Sequence, residues 1–283
     1  MLDKKSIRQQ LDWATDVLHN ASCSARLDSE VLLAHCLDKD RSYLMTWPEK
    51  ELTADELDCF KGFITKRLQS QPIAYLIGHR EFYSLDFITT ADTLVPRPET
   101  ELLVDTVLEL VTVIDNPKIL EMGTGTGAIA VSIKKNKLDA ELVATDISRA
   151  TLQVAQANAL KHQTEINFIQ SDWYQSIDNA QQFDVLVSNP PYIAEFDPYL
   201  SQGDLPAEPQ QALCSGISGL EALETIIQGA ESFLKPAGWL VLEHGYDQQP
   251  VMLKLMLDAG FNAVSTVKDF NDIPRMTVGQ KPD

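Results

Sequence analysis

Residues 119–133 read ILEMGTGTGAIAVSI, and the order of residue types there calls for a strand, a tight loop and a helix. Ile119–Met122 is a short apolar run of β-formers. It stops at Gly123, after which Gly123, Gly125 and Gly127 alternate with Thr124 and Thr126 as G-x-G-x-G. Residues Ala128–Lys135 then read as a helix. Glycine permits the tight turn and keeps side chains from coming between the backbone and a ligand. The dinucleotide fingerprint G-x-G-x-x-G does not fit, because Ala128 holds its last position, although that position accepts Ala in some variants. A second run, Leu142–Thr145, ends in Asp146, 19 residues after Gly127. An acidic side chain there accepts hydrogen bonds from ribose hydroxyls, which suits an adenosine-containing ligand without saying which one. Glu121, at the end of the first strand, is placed for an ammonium group of such a ligand. The plainer reading is a Gly-rich turn with a helix-capping Asp, and the strand–loop–helix context argues against it.

Working outward, strand and helix alternate from Lys118 onward. Apolar β-type runs cover Ile119–Met122, Leu142–Thr145, Ile166–Ile169, Val185–Ser188, Trp239–Glu243 and Ala263–Val267. Helical stretches at Ala128–Lys135, Arg149–Lys161, Gly219–Leu234 and Gln249–Ala259 lie between most of them. This alternation predicts an α/β fold, a mostly parallel sheet with helices on both faces. Arg275–Gly279 reads as one further edge strand, making seven. Upstream, Ile7, Leu11, Ala14 and Leu18 repeat at helical spacing, and further helices are expected around Leu27–Leu37 and from Thr53 to Leu68. The expected organisation is a helical bundle over 1–72, a β-hairpin linker over 73–95 with β-formers at Ile73–Ile77 and Glu81–Thr89, and the α/β domain over 96–283. After Pro96 and Pro98, acidic residues open a helix of about residues 99–114.

The run FDVLVSNPPYI, residues 183–193, carries Asn189, Pro190, Pro191 and Tyr192 at the end of the fourth strand. Ligand clefts form at the carboxyl ends of parallel strands, and two prolines stop the strand and set the direction of the chain. The Asn189 side-chain oxygen and the Pro190 carbonyl are both acceptors, and a planar –NH2 group carries two donors. An amide or aryl amine nitrogen is a poor nucleophile because its lone pair is delocalised. Two acceptors hold its N–H bonds and turn the lone pair toward an electrophile, while Tyr192 packs on the planar group. Adenine N6, cytosine N4, guanine N2 and a glutamine amide all present such a nitrogen. In SDW, residues 171–173, Asp172 is placed for an adenine amino group and Trp173 for stacking on the ring, although a half-buried loop Trp is the plainer reading.

Charge narrows the partner. Residues 1–95 hold 11 Lys/Arg and 15 Asp/Glu, a net of -4, whereas residues 96–283 hold 12 and 26, a net of -14. A duplex-binding face needs clustered cations, so nucleic acid is a poor candidate as a stable partner for the half that carries the motifs. Cys23, Cys36, Cys59 and Cys214 are scattered without a CxxC pair, and the five His show no ligand spacing. Free thiols in a reducing cytosol and no metal site are therefore expected. No apolar run reaches the ~20 residues of a membrane span, and MLDKKSIRQQ lacks a signal-peptide core. A cytoplasmic protein without a membrane association is expected, and nothing demands more than a monomer.

The motifs EMGTGTGA (121–128), SDW (171–173), VSNPPYI (187–193), VPRPETE (95–101), LEHG (242–245) and QPIAYLIGHREFYSLDF (71–87) together resemble the bacterial release-factor glutamine methyltransferases, the HemK/PrmC family, over nearly the whole chain. VPRPETE and REFYSLDF are the specific part; NPPY is shared by several amino-methyltransferases. The resemblance implies a Rossmann-like S-adenosylmethionine-dependent methyltransferase domain with a seven-stranded sheet. It implies methylation of the glutamine amide nitrogen (N5) in the Gly-Gly-Gln motif of class I peptide-chain release factors, with S-adenosylhomocysteine as product. It implies cofactor contacts at Gly123, Thr124, Gly125, Thr126, Gly127, Asp146, Trp173 and Asn189. Substrate-amide contacts are implied at Asn189, Pro190, Pro191 and Tyr192, with catalysis carried by Asn189, Pro190 and Tyr192. Arg97 would sit near the mouth of the site, and Glu243 would shape the cleft. GDLPAEP (203–209) and DFNDIPRMTVGQ (269–280) depart from the family pattern around a retained frame that includes Arg275. The alternatives are a glutamine methyltransferase of a ribosomal protein and, against the charge, an adenine-N6 nucleic-acid methyltransferase.

Overall fold

A computed structural model describes residues 5–283; the first four residues of the expected 1–72 segment lie outside the described residues. The chain forms two compact units. The first runs to His79 and includes Ser201–Glu208, and the second comprises Arg80–Leu200 and Pro209–Asp283.

The first unit is helical: α1 (Ile7–Leu18), α2 (Ala25–Leu37), α3 (Arg41–Thr46), α4 (Ala54–Arg67) and α5 (Ile73–Ile77). Local chemistry starts two of these helices. Ser6 with Gln9, and Thr53 with Glu56, form reciprocal capping boxes that satisfy otherwise orphaned N–H groups. The α1 stripe Ile7, Leu11, Ala14 and Leu18 is buried in one cluster with Leu32, Leu33, Phe60 and Ile64. Beside this apolar core lies a buried ion pair. The Arg67 guanidinium donates to Asp28 at 2.8 Å and to the Gln71 carbonyl at 3.1 Å, and it also reaches Asp204.

Two features differ from the expected segmentation. Ile73–Ile77 is the helical turn α5, not a strand. Pro72 precedes it, Gly78 closes it with φ of 81°, and Ile73, Leu76 and Ile77 pack on the helical core, which rewards a helical spacing over alternation. The hairpin is confined to β1 (His79–Phe82) and β2 (Leu85–Ile88), joined by Tyr83 and Ser84, both left-handed as a tight two-residue turn requires. In addition, Ser201–Glu208 groups with the helices instead of the 96–283 segment, because Asp204 is a partner of Arg67.

The second unit continues through α6 (Glu101–Leu110), β3 (Lys118–Met122), α7 (Ala128–Asn136), β4 (Glu141–Asp146), α8 (Arg149–Lys161), β5 (Asn167–Gln170) and β6 (Phe183–Ser188). It ends with α9 (Gln210–Leu213), α10 (Glu221–Phe233), β7 (Leu234–Glu243), α11 (Gln249–Asp258), β8 (Asn262–Lys268) and β9 (Pro274–Gln280). The helix expected over about 99–114 is α6, shorter and entered through a 3-10 turn at Pro98–Thr100. The seven strands pair in the order β5-β4-β3-β6-β7-β9-β8, parallel except for the pairs that involve β9. The last strand is thus not an edge. It lies between β7 and β8, antiparallel to both, and its residues Met276–Gly279 are buried.

Alternate strand residues feed two cores. Ile119, Val185 and Val187 pack with side chains of α6 and α7, while Leu120, Met122, Leu186 and Leu242 pack with α10 and α11. That is the two-sided burial a parallel sheet demands. Among the described residues no helix is long and apolar enough to cross a membrane.

Arg67→Ala is expected to destabilise the first unit by about 3–5 kcal/mol, the cost of leaving a buried charge unpaired. Urea unfolding followed by circular dichroism measures this, and an unchanged midpoint would contradict the role.

Candidate functional site

The chain runs β3, β4, β5 outward to one side of the sheet and then returns to place β6 on the other side of β3. The glycine loop after β3 and the Asn-Pro-Pro-Tyr segment after β6 therefore leave adjacent strand tips. Met122 pairs with Ser188, and the Ser188 hydroxyl donates to the Met122 carbonyl at 2.7 Å. This is the switch point at which open α/β sheets bind ligands.

A cavity of about 550 Å³ opens there, within the range of small-molecule sites. Gly123, Thr124, Gly125, Thr126, Asp146, Trp173, Asn189 and Pro191 all line it, as do Arg97, Thr100 and Asp172. Sequence reasoning had singled out each of these except Thr100. Gly123 and Gly125 have φ of 69° and 57°, and a Cβ on either would meet nothing within 4 Å. The space beside them is open, as a ligand pressed on the backbone requires.

Five expected residues are not among those that line the cavity, Glu121 and Glu243 with the following three. Gly127 is not a cavity wall: a Cβ on it would come within 3.2 Å of the Ala155 Cβ, so its glycine lets α7 pack on α8. Pro190 is buried and Tyr192 is half-buried, and neither is among the lining residues. The Tyr192 side chain packs on the second core, and its hydroxyl donates to Glu243 Oε1 at 3.3 Å.

Three carboxyl groups organise the site. Asp146 accepts from the Gly125 N–H through Oδ2 at 3.1 Å and from the Ser148 N–H through Oδ1 at 3.0 Å. Burial raises its pKa, opposed by these backbone donors. Each oxygen keeps a lone pair for a hydroxyl in the cavity. Glu121 is fully buried. Its Oε2 accepts from the Thr124 hydroxyl at 2.7 Å and the Ala130 N–H at 3.1 Å, which ties the loop to the start of α7. Its Oε1 is buried without a hydrogen-bond partner, and burial pushes the carboxyl up to about 8. Glu243, at the end of β7, is buried and accepts from the Thr100 hydroxyl through Oε2 at 2.8 Å. Burial pushes it up to about 7, against the hydrogen bonds from Thr100 and Tyr192.

Several contributors carried no sequence signal. Asn158 on α8 is buried; its amide donates to the Ile88 and Thr126 carbonyls, both at 2.9 Å, and its oxygen accepts from the Ile88 N–H at 2.7 Å. It thereby fixes the hairpin and the glycine loop to one helix. Pro209, Gln211, Ser215, Glu221 and Thr225 form a further wall, brought there by the pairing of Ile193 with Cys214 beyond the strand tip. Nothing in the local pattern of 209–225 marks it as cavity lining.

The site so built resembles known proteins at several levels. A family model described as the PrmC N-terminal domain matches residues 9–78, and one described as the methyltransferase small domain matches residues 98–201. A release factor glutamine methyltransferase of Shewanella oneidensis is 41% identical over 281 residues, 99% of this chain and 98% of its own. One of Xylella fastidiosa is 44% identical over 258 residues, 91% of this chain and 94% of its own. Among solved structures, the 16S rRNA N2 G1207 methyltransferase of T. thermophilus superposes with a TM-score of 0.54 at 16% identity, covering 72% of this chain and 49% of that one. A methyltransferase from Pyrococcus furiosus gives 0.51 at 17%, covering 77% and 98%. These structural likenesses concern the fold. With relatives 41% and 44% identical across nearly the whole of both chains, this chain belongs to the release factor glutamine methyltransferase family.

Proposed function

We propose that the chain transfers the methyl group of S-adenosylmethionine to the side-chain amide nitrogen (N5) of the glutamine in the Gly-Gly-Gln motif of class I peptide-chain release factors, in support of translation termination. The observation that carries this reading is the presence of Asn189 in the wall of the cavity beneath the glycine loop, in a chain whose relatives bear that name.

The residues present suit this cofactor. Open space stands beside Gly123 and Gly125, Asp146 retains acceptors for ribose hydroxyls, and Trp173 offers an indole to the adenine. The orphaned Glu121 oxygen supplies an uncompensated acceptor close to the loop, suited to a ligand that is itself cationic. When bound, the cofactor supplies a methyl group on a positively charged sulfur.

The chain's own residues do the rest. Asn189 Oδ1 and the Pro190 carbonyl accept the two N–H bonds of the glutamine carboxamide. This holds the nitrogen with its lone pair facing the cavity. Pro191, in the cavity wall, steadies the planar group, and Tyr192, packed on the second core with its hydroxyl on Glu243, holds the segment that carries it. Positioning of this kind removes about 7–11 kcal/mol from a barrier, and the proton released from nitrogen passes to solvent. A single chain contributes every residue invoked, so a monomer suffices. Four free thiols fit a reducing cytosol, and a net charge of -18 disfavours a stable nucleic-acid complex.

The test is radiolabelled methyl transfer to purified release factor, with a release factor lacking the loop glutamine as control. Label on that glutamine is expected; label on a nucleobase or on a ribosomal protein instead would overturn the reading. Asn189→Ala is expected to lower turnover by about 10²–10³-fold, the effect of losing one preorganised polar group, with cofactor binding weakened but still detectable. Near-normal turnover would contradict the role. Asp146→Ala is expected to weaken cofactor affinity more than it slows saturated turnover. Calorimetry beside saturating kinetics checks this, and unchanged affinity would count against it.

A further inference from the structure

Asn189 does not stand alone at the strand tip. Its Nδ2 donates to the Thr100 hydroxyl oxygen at 3.0 Å, and Thr100 in turn donates to Glu243 Oε2 at 2.8 Å. The other carboxyl oxygen accepts from the Tyr192 hydroxyl at 3.3 Å. Thr100 and Glu243 are both buried, 5% and 3% exposed, and of the two only Thr100 lines the cavity.

The chain of donors has a direction. A threonine hydroxyl carries one proton. Once that proton lies on the carboxylate, only lone pairs of Thr100 face Asn189, and the carboxamide must turn its –NH2 toward them. Its oxygen is then the atom left for a ligand. We propose that Thr100 and Glu243 are positioning residues that fix the rotational state of the Asn189 carboxamide, so that it presents an acceptor, not a donor, to the substrate amide. This rests on the glutamine-directed reading above.

The opposite state follows from the same count of protons. A protonated Glu243 can donate to Thr100 and free the threonine proton for Asn189. The carboxamide then turns its oxygen toward Thr100 and offers –NH2 to a substrate –NH2, where donors oppose donors. The groups that bias this switch come from several elements. Glu99, on the 3-10 turn, favours the protonated carboxyl. Arg275 on β9 opposes it while pairing with Asp269 at 2.8 Å. Tyr192 donates to the carboxyl and itself faces Arg275 and Arg97. His244, the next residue along the chain, is turned to the Gly245 carbonyl and the Thr277 hydroxyl. Burial brings Glu243 up to about 7. Since the ionised form is the productive one, activity rises with pH through that value and levels above it.

The experiment compares wild type, Thr100→Val, Thr100→Ser and Glu243→Gln by methyl transfer to release factor across pH 5.5–9, about a unit and a half or more on either side of that midpoint. Orienting partners behind metal ligands are worth about 10–100-fold, and a kcat loss of that size is expected in T100V, with most of it restored in T100S. Calorimetric affinity for the cofactor should change much less than kcat. E243Q should lose the acidic limb of the profile and run flat at a reduced level. A readout free of substrate is the Asn189 side-chain –NH2 resonance pair, assigned by its absence in N189A. It should shift with pH near 7 in wild type and stay fixed in E243Q. If wild type fails to label the release factor, the functional reading falls and the proposal with it. If wild type labels it but T100V retains full kcat, or E243Q keeps both the acidic limb and the resonance shift, the proposal alone is overturned.

Discussion

The register between β3 and β6 is the constraint on which the site depends. Met122 is held opposite Ser188 by the strand ladder and by the serine hydroxyl bonded across to the Met122 carbonyl. One residue beyond that pair lie Gly123 on one strand and Asn189 on the other. Side chains alternate faces along a strand, so a slip of one position would exchange the two cores and move Asn189 off the cavity. Two-sided burial makes such a slip costly: Leu120 and Leu186 face one helical layer while Ile119, Val185 and Val187 face the other. The packing that stabilises the sheet and the geometry that assembles the cavity are thus one set of contacts.

On that frame sit three carboxyl groups, two of them buried. Glu121, Asp146 and Glu243 come from three strand ends, and burial raises all three. Each is answered by donors from another segment: Thr124 and Ala130, Gly125 and Ser148, Thr100 and Tyr192. Removing carboxyl groups from water is costly unless they are hydrogen-bonded, so these donors are part of what allows them to stand near the cavity. Of the three, Asp146 lines the cavity, and an acidic group in the wall is poor for phosphate and good for a ligand that carries positive charge.

The sheet, the glycine loop and the strand-tip motif were legible because each rests on local signals: alternating apolar runs, glycines at fixed offsets, and prolines that stop a strand. Misreadings arose where tertiary contacts decide. The β-formers Ile73–Ile77 coil into a helical turn because a neighbouring helical core receives them. Gly127 has the spacing of a ligand-binding glycine, and what the spacing does not tell is that its missing Cβ also makes room for Ala155. Thr100 lies in a motif chosen for its prolines and acids, but its bond to Glu243 spans 143 positions, and no local pattern encodes such a distance. Asn158 reads as an ordinary polar helix residue until its three bonds to the hairpin and the glycine loop are seen.

The placement of β9 has a consequence for how the molecule is made. Ribosomes release a chain from its amino end, and domains tend to fold in that order. Here β8 emerges before β9, yet β9 is the strand that joins it to the sheet. Until the segment Pro274–Gln280 has been translated, β7 presents an open flank and β8 has no ladder partner. Because His244 donates its backbone N–H to the Arg275 carbonyl, the Glu243 end of the cavity also waits for that strand. Completion of the catalytic half is therefore deferred until Pro274–Gln280 has been made, and until then the flank of β7 stays an unfinished sheet edge.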